Sequence, residues 1–275
     1  MTGSRFFYSA VCHAPVVNWA KNVFVRNARL YEQVLEGMWQ RGEEDALAIS
    51  GLLHERGMGS CRVLDAPCGI GRVGIPLAQL GFTVRGLDYS PLLVDAANLK
   101  TKRFRVSRNA SFVKGEMSDL ASKFEAGSFD CAINVFTSIG YGTERDDLKF
   151  FGELRKVVRK GGLFLISGLR NRDYIVRNPS QNVYEESEKL LVLDKYEFDI
   201  ATSRESGSWR FYLKVGKAMK WAGEFPIDIR IYSPHELSGM LRRSGWRLTE
   251  VYQSFSTKGK FTVESPVYAT IAEAV

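Results

Sequence analysis

A glycine-rich loop with an acidic residue in front of it is the segment of this sequence most suited to chemistry. It runs from Val63 to Arg72, reads VLDAPCGIGR, and continues into a GIGRVG pattern that ends at Gly74. Glycines let a backbone approach a bound molecule closely, and a helix that starts there offers free N–H groups. Asp88 ends the next strand-like run, where a carboxylate can accept hydrogen bonds from the ribose of an adenosine. The segment therefore predicts a cofactor that contains adenosine.

Two classes of cofactor fit such a loop, a nicotinamide or flavin dinucleotide and S-adenosylmethionine. The carboxylate of Asp65 lies just before the glycines. It would repel the pyrophosphate of a dinucleotide, but it would attract the sulfonium and α-amino charges of the methyl donor. We therefore favour S-adenosylmethionine and keep an NAD(P)-dependent oxidoreductase as the weaker alternative.

The elements that must hold this loop alternate between strand and helix. Apolar runs of strand length are separated by amphipathic stretches, a pattern that predicts parallel crossovers in a doubly wound sheet. The predicted strands are Val63–Ala66, Thr83–Asp88, Ser111–Glu116, Phe129–Phe136 and Leu163–Leu169. The predicted helices between them are Gly71–Leu80, Pro91–Lys100 and Arg145–Arg159, the last of which should stop at Gly161-Gly162.

The flanking segments follow other patterns. Tyr31–Glu55 has helical periodicity, whereas Val183–Tyr232 alternates apolar and polar residues in the manner of antiparallel strands. A helix at His235–Arg243 and two strands, in 246–255 and 267–274, complete the pattern. The predicted fold is α/β, a Rossmann-like, doubly wound, mostly parallel seven-stranded sheet with an antiparallel β insertion between the fifth strand and the last helix.

We expect three parts in the chain. Residues 1–60 should form an N-terminal helical segment that packs on the core. Residues 61–182 and 233–275 should form the cofactor-binding core, and residues 183–232 should form the insertion. Ligands of such sheets bind outside the carboxyl ends of the parallel strands, so the insertion should shape the second substrate's site.

Five segments in this order resemble the class I S-adenosylmethionine-dependent methyltransferase family. The segments are VLDAPCGIGR, GLDYS at 86–90, GEMSDL at 115–120, FDCAINVFTSIGY at 129–141 and LRKVVRKGGLFLI at 154–166. The FTSIGY part also resembles the glycine and sugar-amine N-methyltransferases. The resemblance implies methyl transfer from S-adenosylmethionine, with S-adenosylhomocysteine as the product.

The resemblance also implies roles for individual residues. Asp88 would bind the ribose, Tyr89 would lie against the adenine, and Glu116 and the backbone of Met117 would recognise its edge. In the preceding helix, Tyr31 and Arg41 would hold the methionine end of the donor, with Arg41 paired to its carboxylate. The predicted cofactor-binding residues are Tyr31, Arg41, Asp65, Ala66, Pro67, Gly69, Gly71, Asp88, Tyr89, Glu116, Met117, Asn134 and Val135.

The methyl acceptor should approach past the end of the fourth strand, beneath the insertion. Because a sulfonium is already activated, alignment supplies most of the acceleration, and a base is needed only for an acceptor that carries a proton. The candidates for a catalytic role are Tyr141, Arg230, Tyr232 and His235, and the sequence fixes none of them. Both tyrosines fit packing residues equally well, and His235 fits a solvated residue in the first turn of a helix.

The net charge of +7 raises nucleic acid as an alternative acceptor. Basic residues concentrate in Lys100–Arg108, Arg155–Lys160 and Arg170–Arg177, which keeps a tRNA or rRNA methyltransferase open. Residues 134–137 read NVFT, without the Pro-Pro-aromatic signature of many nucleic-acid amino methyltransferases. We therefore expect a small-molecule acceptor, an amine in preference to a hydroxyl. A protein that binds the donor without turnover is a further alternative.

Composition bounds the remaining properties. The four cysteines and three histidines have no metal-ligand spacing, so no metal is predicted. We expect a cytoplasmic protein, since no leader is recognisable and no apolar run approaches the roughly 18 residues of a membrane span. The oligomeric state is open, with a dimer as one option.

Overall fold

The computed structural model describes residues 19–178 and 182–275, except for the side chains of 182 and 183. Its helices are α1 (Trp19–Lys21), α2 (Ala28–Gly37), α3 (Trp39–Glu55), α4 (Gly74–Gln79), α5 (Pro91–Arg103), α6 (Glu144–Val157), α7 (Arg172–Arg177) and α8 (Pro234–Arg243). Its strands are β1 (Arg62–Asp65), β2 (Thr83–Asp88), β3 (Ala110–Lys114), β4 (Phe129–Val135), β5 (Val158–Arg170), β6 (Asn182–Glu186), β7 (Leu190–Asp199), β8 (Arg204–Val215), β9 (Ala218–Arg230), β10 (Trp246–Tyr252) and β11 (Val267–Ala274). A π-helical turn, Asn22–Arg26, joins α1 to α2, and a 3-10 turn, Met117–Ser122, follows β3. The predicted N-terminal part is therefore described only from residue 19 onward.

Seven strands form the central sheet, in the spatial order β10-β11-β5-β4-β1-β2-β3. The strands β1 to β5 pair in parallel, and β11 pairs antiparallel with β5 and β10. The middle strand β1 buries Val63, Leu64 and Asp65, as expected of a parallel strand covered on both faces. The predicted doubly wound α/β fold with a mostly parallel seven-stranded sheet is confirmed.

Strands β6 to β9 form a second, antiparallel sheet, which we call the cap sheet. Its inner face carries Trp209 and Phe211 into a buried cluster with Tyr31 and Val34 of α2. The apolar contact holds the cap sheet against the helix that precedes the core. The predicted antiparallel insertion between the fifth strand and the last helix is confirmed.

Two predicted helices have different bounds in the structure. The helix predicted at Tyr31–Glu55 is two helices, because Met38 takes φ −90° and ψ 10° and interrupts the helical backbone. The helix predicted at Gly71–Leu80 begins only at Gly74, because the backbone before it forms a turn in which Gly71 has a φ of 75°. Both departures lie where the chain approaches the predicted cofactor loop.

The fifth strand is longer than the sequence pattern suggested. The helix predicted to reach Arg159 ends at Val157, and β5 begins at Val158, whose buried side chain and pairing with Phe129 favour the sheet. Gly161 and Gly162 therefore lie within β5. The third strand ends at Lys114 rather than at residue 116, and the short helix α7 was not predicted.

Candidate functional site

A cavity of about 520 Å³ lies where the segments after β1, β2, β3 and β4 meet, and we call it the donor cavity. These are the carboxyl ends of parallel strands, where ligands of doubly wound sheets bind. The predicted cofactor residues in its wall are Tyr31, Asp65, Pro67, Gly69, Asp88, Tyr89, Glu116, Met117 and Val135. The structure thus brings most of the predicted set to one place.

Asp88 fixes the shape of the glycine-rich loop. Its carboxylate accepts hydrogen bonds from the backbone N–H groups of Gly69 and Ser90, both at 2.9 Å. Gly69 has a φ of 51°, in the left-handed region that residues with a side chain seldom adopt. The carboxylate at the end of β2 therefore ties together two loops at the floor of the donor cavity, in addition to any bond it makes to a ligand.

The donor cavity has an acidic floor. Burial raises the pKa of Asp65 to about 7, opposed by the charge of Arg72, and raises that of Asp88 to about 6, opposed by backbone N–H groups. The hydroxyl of Tyr89 is buried with no hydrogen-bond partner among the described residues. Such a floor favours a ligand with positive charge and hydroxyl groups and disfavours a pyrophosphate. S-adenosylmethionine meets that requirement.

Three predicted cofactor residues, Ala66, Gly71 and Asn134, lie behind the wall of the donor cavity. Asn134 donates hydrogen bonds from Nδ2 to the carbonyl of Ala66 at 2.8 Å and to Ser138 Oγ at 3.1 Å. These bonds join the end of β4 to the loop after β1. Asn134 therefore positions the two segments and does not face the cavity.

Arg41 does not line the donor cavity. Its side chain is largely exposed and donates to Glu185 at 3.0 Å. The buried guanidinium at the donor cavity belongs to Arg72, which pairs with Asp45 at 3.3 Å and lies 5.3 Å from the ring centre of Phe136. The sequence offered one signal for Arg72, its place directly after Gly71 in the loop, but no role was predicted for it.

A second cavity, of about 780 Å³, lies between the carboxyl ends of β4 and β5 and the inner face of the cap sheet. We call it the cap cavity. Val135, Phe136, Thr137 and Tyr141 line both cavities and form what we call the shared wall. Phe136 has a φ of 68°, which is rare for a bulky residue and typical of functional segments.

The catalytic candidates differ in their access to the cavities. Tyr141 belongs to the shared wall, and burial raises the pKa of its hydroxyl above the ordinary value. Arg230 and Tyr232 line the cap cavity, where Arg230 pairs with Glu236 at 2.6 Å. His235 is exposed and lines neither cavity, in agreement with the solvated first-turn interpretation.

The hydroxyl of Tyr232 has a structural partner. It donates to Asp147 at 2.9 Å, and the same carboxylate accepts the N–H of Gly140. Burial raises the pKa of Asp147 to about 7, opposed by these two hydrogen bonds. The contacts hold the segment that carries Tyr141, so Tyr232 positions the shared wall.

Residues 19–178 and 182–275 include no helix long and apolar enough to cross a membrane. In the same ranges, no group of His, Cys, Asp and Glu side chains has the arrangement of a metal site. Cys12 and His13 lie outside the described residues.

Comparison with known proteins finds a family match within the central sheet. Residues 63–162 match the family described as Methyltransferase domain. Two bacterial relatives, from Geobacillus and Bacillus subtilis, are 30% identical over 108 and 118 residues, which are 39% and 42% of this chain. The chain spans 42% and 44% of their lengths. Glycine N-methyltransferase from Rattus norvegicus is 29% identical over 176 residues, or 58% of each chain.

Solved structures share the fold over most of the chain. An S-adenosylmethionine-dependent methyltransferase from Clostridium acetobutylicum superposes with a TM-score of 0.73 at 15% identity, covering 90% of this chain and 98% of that one. The sugar N-methyltransferase KedS8 from Streptoalloteichus superposes with a TM-score of 0.64 at 14% identity, covering 88% and 92%. At this level of identity the likeness establishes the fold.

Proposed function

We propose that this chain is a class I S-adenosylmethionine-dependent methyltransferase and that it methylates a small-molecule acceptor, an amine in preference to a hydroxyl. The family, the enzymatic character and the cofactor were predicted from the sequence, and they are supported by the Methyltransferase domain match over residues 63–162 and by relatives named as methyltransferases. The observation that carries the proposal is the shared wall, which joins a donor cavity to an acceptor-sized cap cavity. The division into a core and an acceptor-shaping cap remains part of this proposal.

The residues of the donor cavity would hold the cofactor by complementary charge. Asp88 and Tyr89 lie at the end of β2 and would bind the adenosine part. Asp65 would face the positively charged groups, and Arg72 is the buried cation that would meet the donor's carboxylate. Arg41 is less suited to that last role, because its guanidinium is exposed and paired with Glu185.

When bound, S-adenosylmethionine would supply an electrophilic methyl group. An acceptor lone pair would form the new bond to carbon as the carbon–sulfur bond breaks with its electrons on sulfur, and the proton of the acceptor would pass to solvent. The shared wall would align the acceptor and exclude water, which accounts for most of the acceleration in such a reaction. Tyr141 is the catalytic candidate at this wall. Its raised pKa keeps the hydroxyl protonated, so it would orient an acceptor lone pair and would not remove a proton.

The positions of two of the three basic segments disfavour a nucleic-acid acceptor. Lys100–Arg108 leads into the first residue of β3, and Arg155–Lys160 leads into β5. Both therefore lie at the amino ends of the parallel strands, opposite the cavities. The third, Arg170–Arg177, begins at the carboxyl end of β5, where Arg170 lines the cap cavity and pairs with Glu205. Many of these cations also have protein partners, including Lys100 with Glu36, Lys156 with Glu153, Arg159 with Asp130 and Arg177 with Glu264.

The relatives support an amine acceptor by their names. Glycine N-methyltransferase and the sugar N-methyltransferase KedS8 are both named for methylation at nitrogen of a small molecule. The sequence segment FTSIGY, which contributes Phe136, Thr137 and Tyr141 to the shared wall, carried the same resemblance.

A turnover screen tests the proposal. The chain is incubated with S-adenosylmethionine and a panel of amines, alcohols of matched skeleton, and tRNA, and the products are analysed by mass spectrometry. We expect a methylated amine and S-adenosylhomocysteine in equal amounts. Methyl groups found on tRNA alone, or binding of NADH without binding of S-adenosylmethionine, would contradict the proposal.

A matched pair of variants tests whether Asp88 contributes to donor binding. We expect Asp88→Asn to weaken binding of S-adenosylhomocysteine by roughly tenfold or more, since a hydrogen bond to a charged group contributes about 1.5–3 kcal/mol. Asp95→Asn, an exposed change on α5, should leave the dissociation constant unchanged. Equal affinity of both variants would show that Asp88 has no role in donor binding.

A further inference from the structure

A cluster of charged side chains in the cap cavity has no role in the mechanism above. Glu205 on β8 and Asp194 on β7 are both buried, and both face Arg170 at the end of β5. Arg170 forms an ion pair with Glu205, whereas its nearest distance to Asp194 is 3.9 Å. One guanidinium therefore serves two carboxyl groups, and the cluster has an excess of negative charge when both are ionised.

Three polar atoms in this part of the wall make no hydrogen bond among the described residues: Glu205 Oε2, which lies in the ion pair with Arg170, and two atoms of neighbouring residues. Asp194 Oδ1 and Trp209 Nε1 are buried without a hydrogen bond among the described residues, although the indole lies close enough to lower the carboxyl pKa. The Asp194 side chain is 9% exposed and lines the cavity. An unsatisfied buried carboxylate oxygen costs free energy, so it marks a place where a ligand can donate a hydrogen bond.

The surrounding wall is aromatic. Tyr184 stacks on Trp209 with ring centres 4.5 Å apart. The guanidinium of Arg170 lies over the ring of Tyr196, 4.7 Å from the ring centre. Trp209 also stacks on Tyr31, so these rings already have partners, and they shield the carboxylates from water, which strengthens the attraction of the carboxylates for a cation. A cation with N–H donors satisfies the charge excess and the open oxygen together.

We propose that Glu205 and Asp194 bind an ammonium group of the acceptor molecule, so that the substrates of this enzyme are organic cations. The inference rests on the proposed function, because an acceptor is a substrate of that reaction. The binding of the ammonium group, however, can be measured without turnover. An ammonium group paired with carboxylates has no free lone pair. It therefore serves as a handle for binding, and the reacting atom is a different one, at the shared wall.

The neighbouring charges leave this role to the pair. Other ionisable residues that line the cap cavity are Arg41, Glu44, Asp45, Tyr141, Tyr184, Tyr196, Arg230 and Tyr232. Among the charged ones, Arg41 pairs with Glu185, Asp45 with Arg72, and Arg230 with Glu236. Glu44 is exposed to solvent and accepts a hydrogen bond from Gln40. Burial raises the pKa of Glu205 to about 7 and that of Asp194 to about 6, opposed in each case by Arg170. A bound cation should lower both values.

Calorimetric titration with benzylamine and benzyl alcohol, which differ mainly in the ammonium group, tests the proposal on the chain saturated with S-adenosylhomocysteine. We expect benzylamine to bind at least about tenfold more tightly near pH 8, as charge-assisted hydrogen bonds imply. The preference should shrink as the pH falls towards about 5, because the two carboxyl groups become protonated while the amine stays charged. Equal affinities, or no binding of benzylamine, would overturn the proposal.

Variants localise the effect. Glu205→Gln and Asp194→Asn keep the side-chain shapes and should each remove most of the preference for benzylamine. Glu224→Gln is the control, since Glu224 is an exposed carboxylate of the same sheet that pairs with Arg210 outside both cavities. Retention of the preference in both cavity variants would overturn the proposal. If either variant fails to bind S-adenosylhomocysteine, the other variant and the pH series on the unaltered chain decide.

A kinetic readout separates this inference from the proposed function. With an acceptor found in the turnover screen, Glu205→Gln should raise KM while kcat changes little, as expected for a handle remote from the reacting atoms. Absence of any methylated product would contradict the proposed function, whereas the titration would still decide whether the cluster binds ammonium groups.

Discussion

Asp65 and Asp88 bring two carboxyl groups into the donor cavity, where burial raises the pKa of the first to about 7 and of the second to about 6. In the unfolded chain an aspartate titrates near about 3.9. Between the unfolded and the folded pKa values, the folded protein binds more protons than the unfolded chain. The contribution of these two groups to the free energy of unfolding therefore falls as the pH rises from about 4 to 7. A positively charged donor favours the ionised forms and should reverse that cost.

We therefore predict that S-adenosylmethionine binds more tightly as the pH rises from about 5 to 8, because the two carboxyl groups are protonated at the lower end of that range and binding must then release their protons. Isothermal titration in buffers of different ionisation enthalpy measures both the affinity and the protons released. Asp65→Asn should weaken binding near pH 8 and flatten the dependence, whereas Asp95→Asn should preserve it. An affinity that is constant over this range would mean that the two groups are already ionised in the free protein.

At the level of the elements, α3 packs so closely against the cofactor loop that a further atom would clash. A β-carbon added at Gly42 would come within 2.3 Å of the carbonyl oxygen of Arg72, so any side chain there must displace the helix or the loop. Gly51 lies further along the same helix, is exposed, and has open space around its α-carbon. The two glycines therefore separate the effect of close approach from the effect of helix propensity.

Gly42→Ala should weaken binding of S-adenosylhomocysteine by at least about tenfold, because the loop geometry on which the donor depends is held to within a few tenths of an ångström by such contacts. Gly51→Ala should leave the affinity unchanged and raise the free energy of unfolding by about 0.5–1 kcal/mol, the usual gain for alanine within a helix. Titration calorimetry and urea denaturation measure the two quantities. Unchanged donor affinity in Gly42→Ala would show that α3 does not support the loop.

The elements also show which features a sequence can disclose. The strands and the doubly wound, mostly parallel character of the central sheet followed from alternation along the chain, because each strand is covered by the helix next to it. The glycine loop and Asp88 were likewise readable, since their spacing is local. The break at Met38 and the start of β5 at Val158 depend on packing against other elements, and the pattern of either segment alone did not contain that information.

The cap cavity was the least accessible to prediction. Its charged cluster combines Arg170, Asp194 and Glu205 from three different strands, and each residue alone fits an ordinary polar position in an alternating strand. Arg41 was predicted to bind the donor's carboxylate but lies beside the cap sheet. Arg72 lies in the predicted cofactor loop, but no role was predicted for it. Such assignments require the tertiary arrangement, because the partner that decides the role of a charge is distant in sequence.

At the scale of the whole molecule, the cap sheet and the core share one buried cluster. It contains Tyr31 and Val34 from α2, Ile70 from the cofactor loop, and Trp209 and Phe211 from β8. Removing the cap by deletion would expose these apolar side chains, so a deletion variant tests folding more than substrate selection. Coupling between the two sheets is better measured in the intact chain.

We predict that α2 and β8 open in a single cooperative event. Native-state hydrogen exchange in low concentrations of urea should give equal opening free energies for amides in the helix and in the strand, because neither can expose its side of the shared cluster alone. Saturation with S-adenosylhomocysteine at 100 times its dissociation constant should raise both values by about 2.7 kcal/mol. Amides at the exposed turn between Val215 and Ala218 serve as the control and should exchange by local opening in either state. A lower opening free energy for β8 that does not respond to the ligand would show instead that the cap is an independent unit, able to exchange acceptors while the donor cavity stays closed.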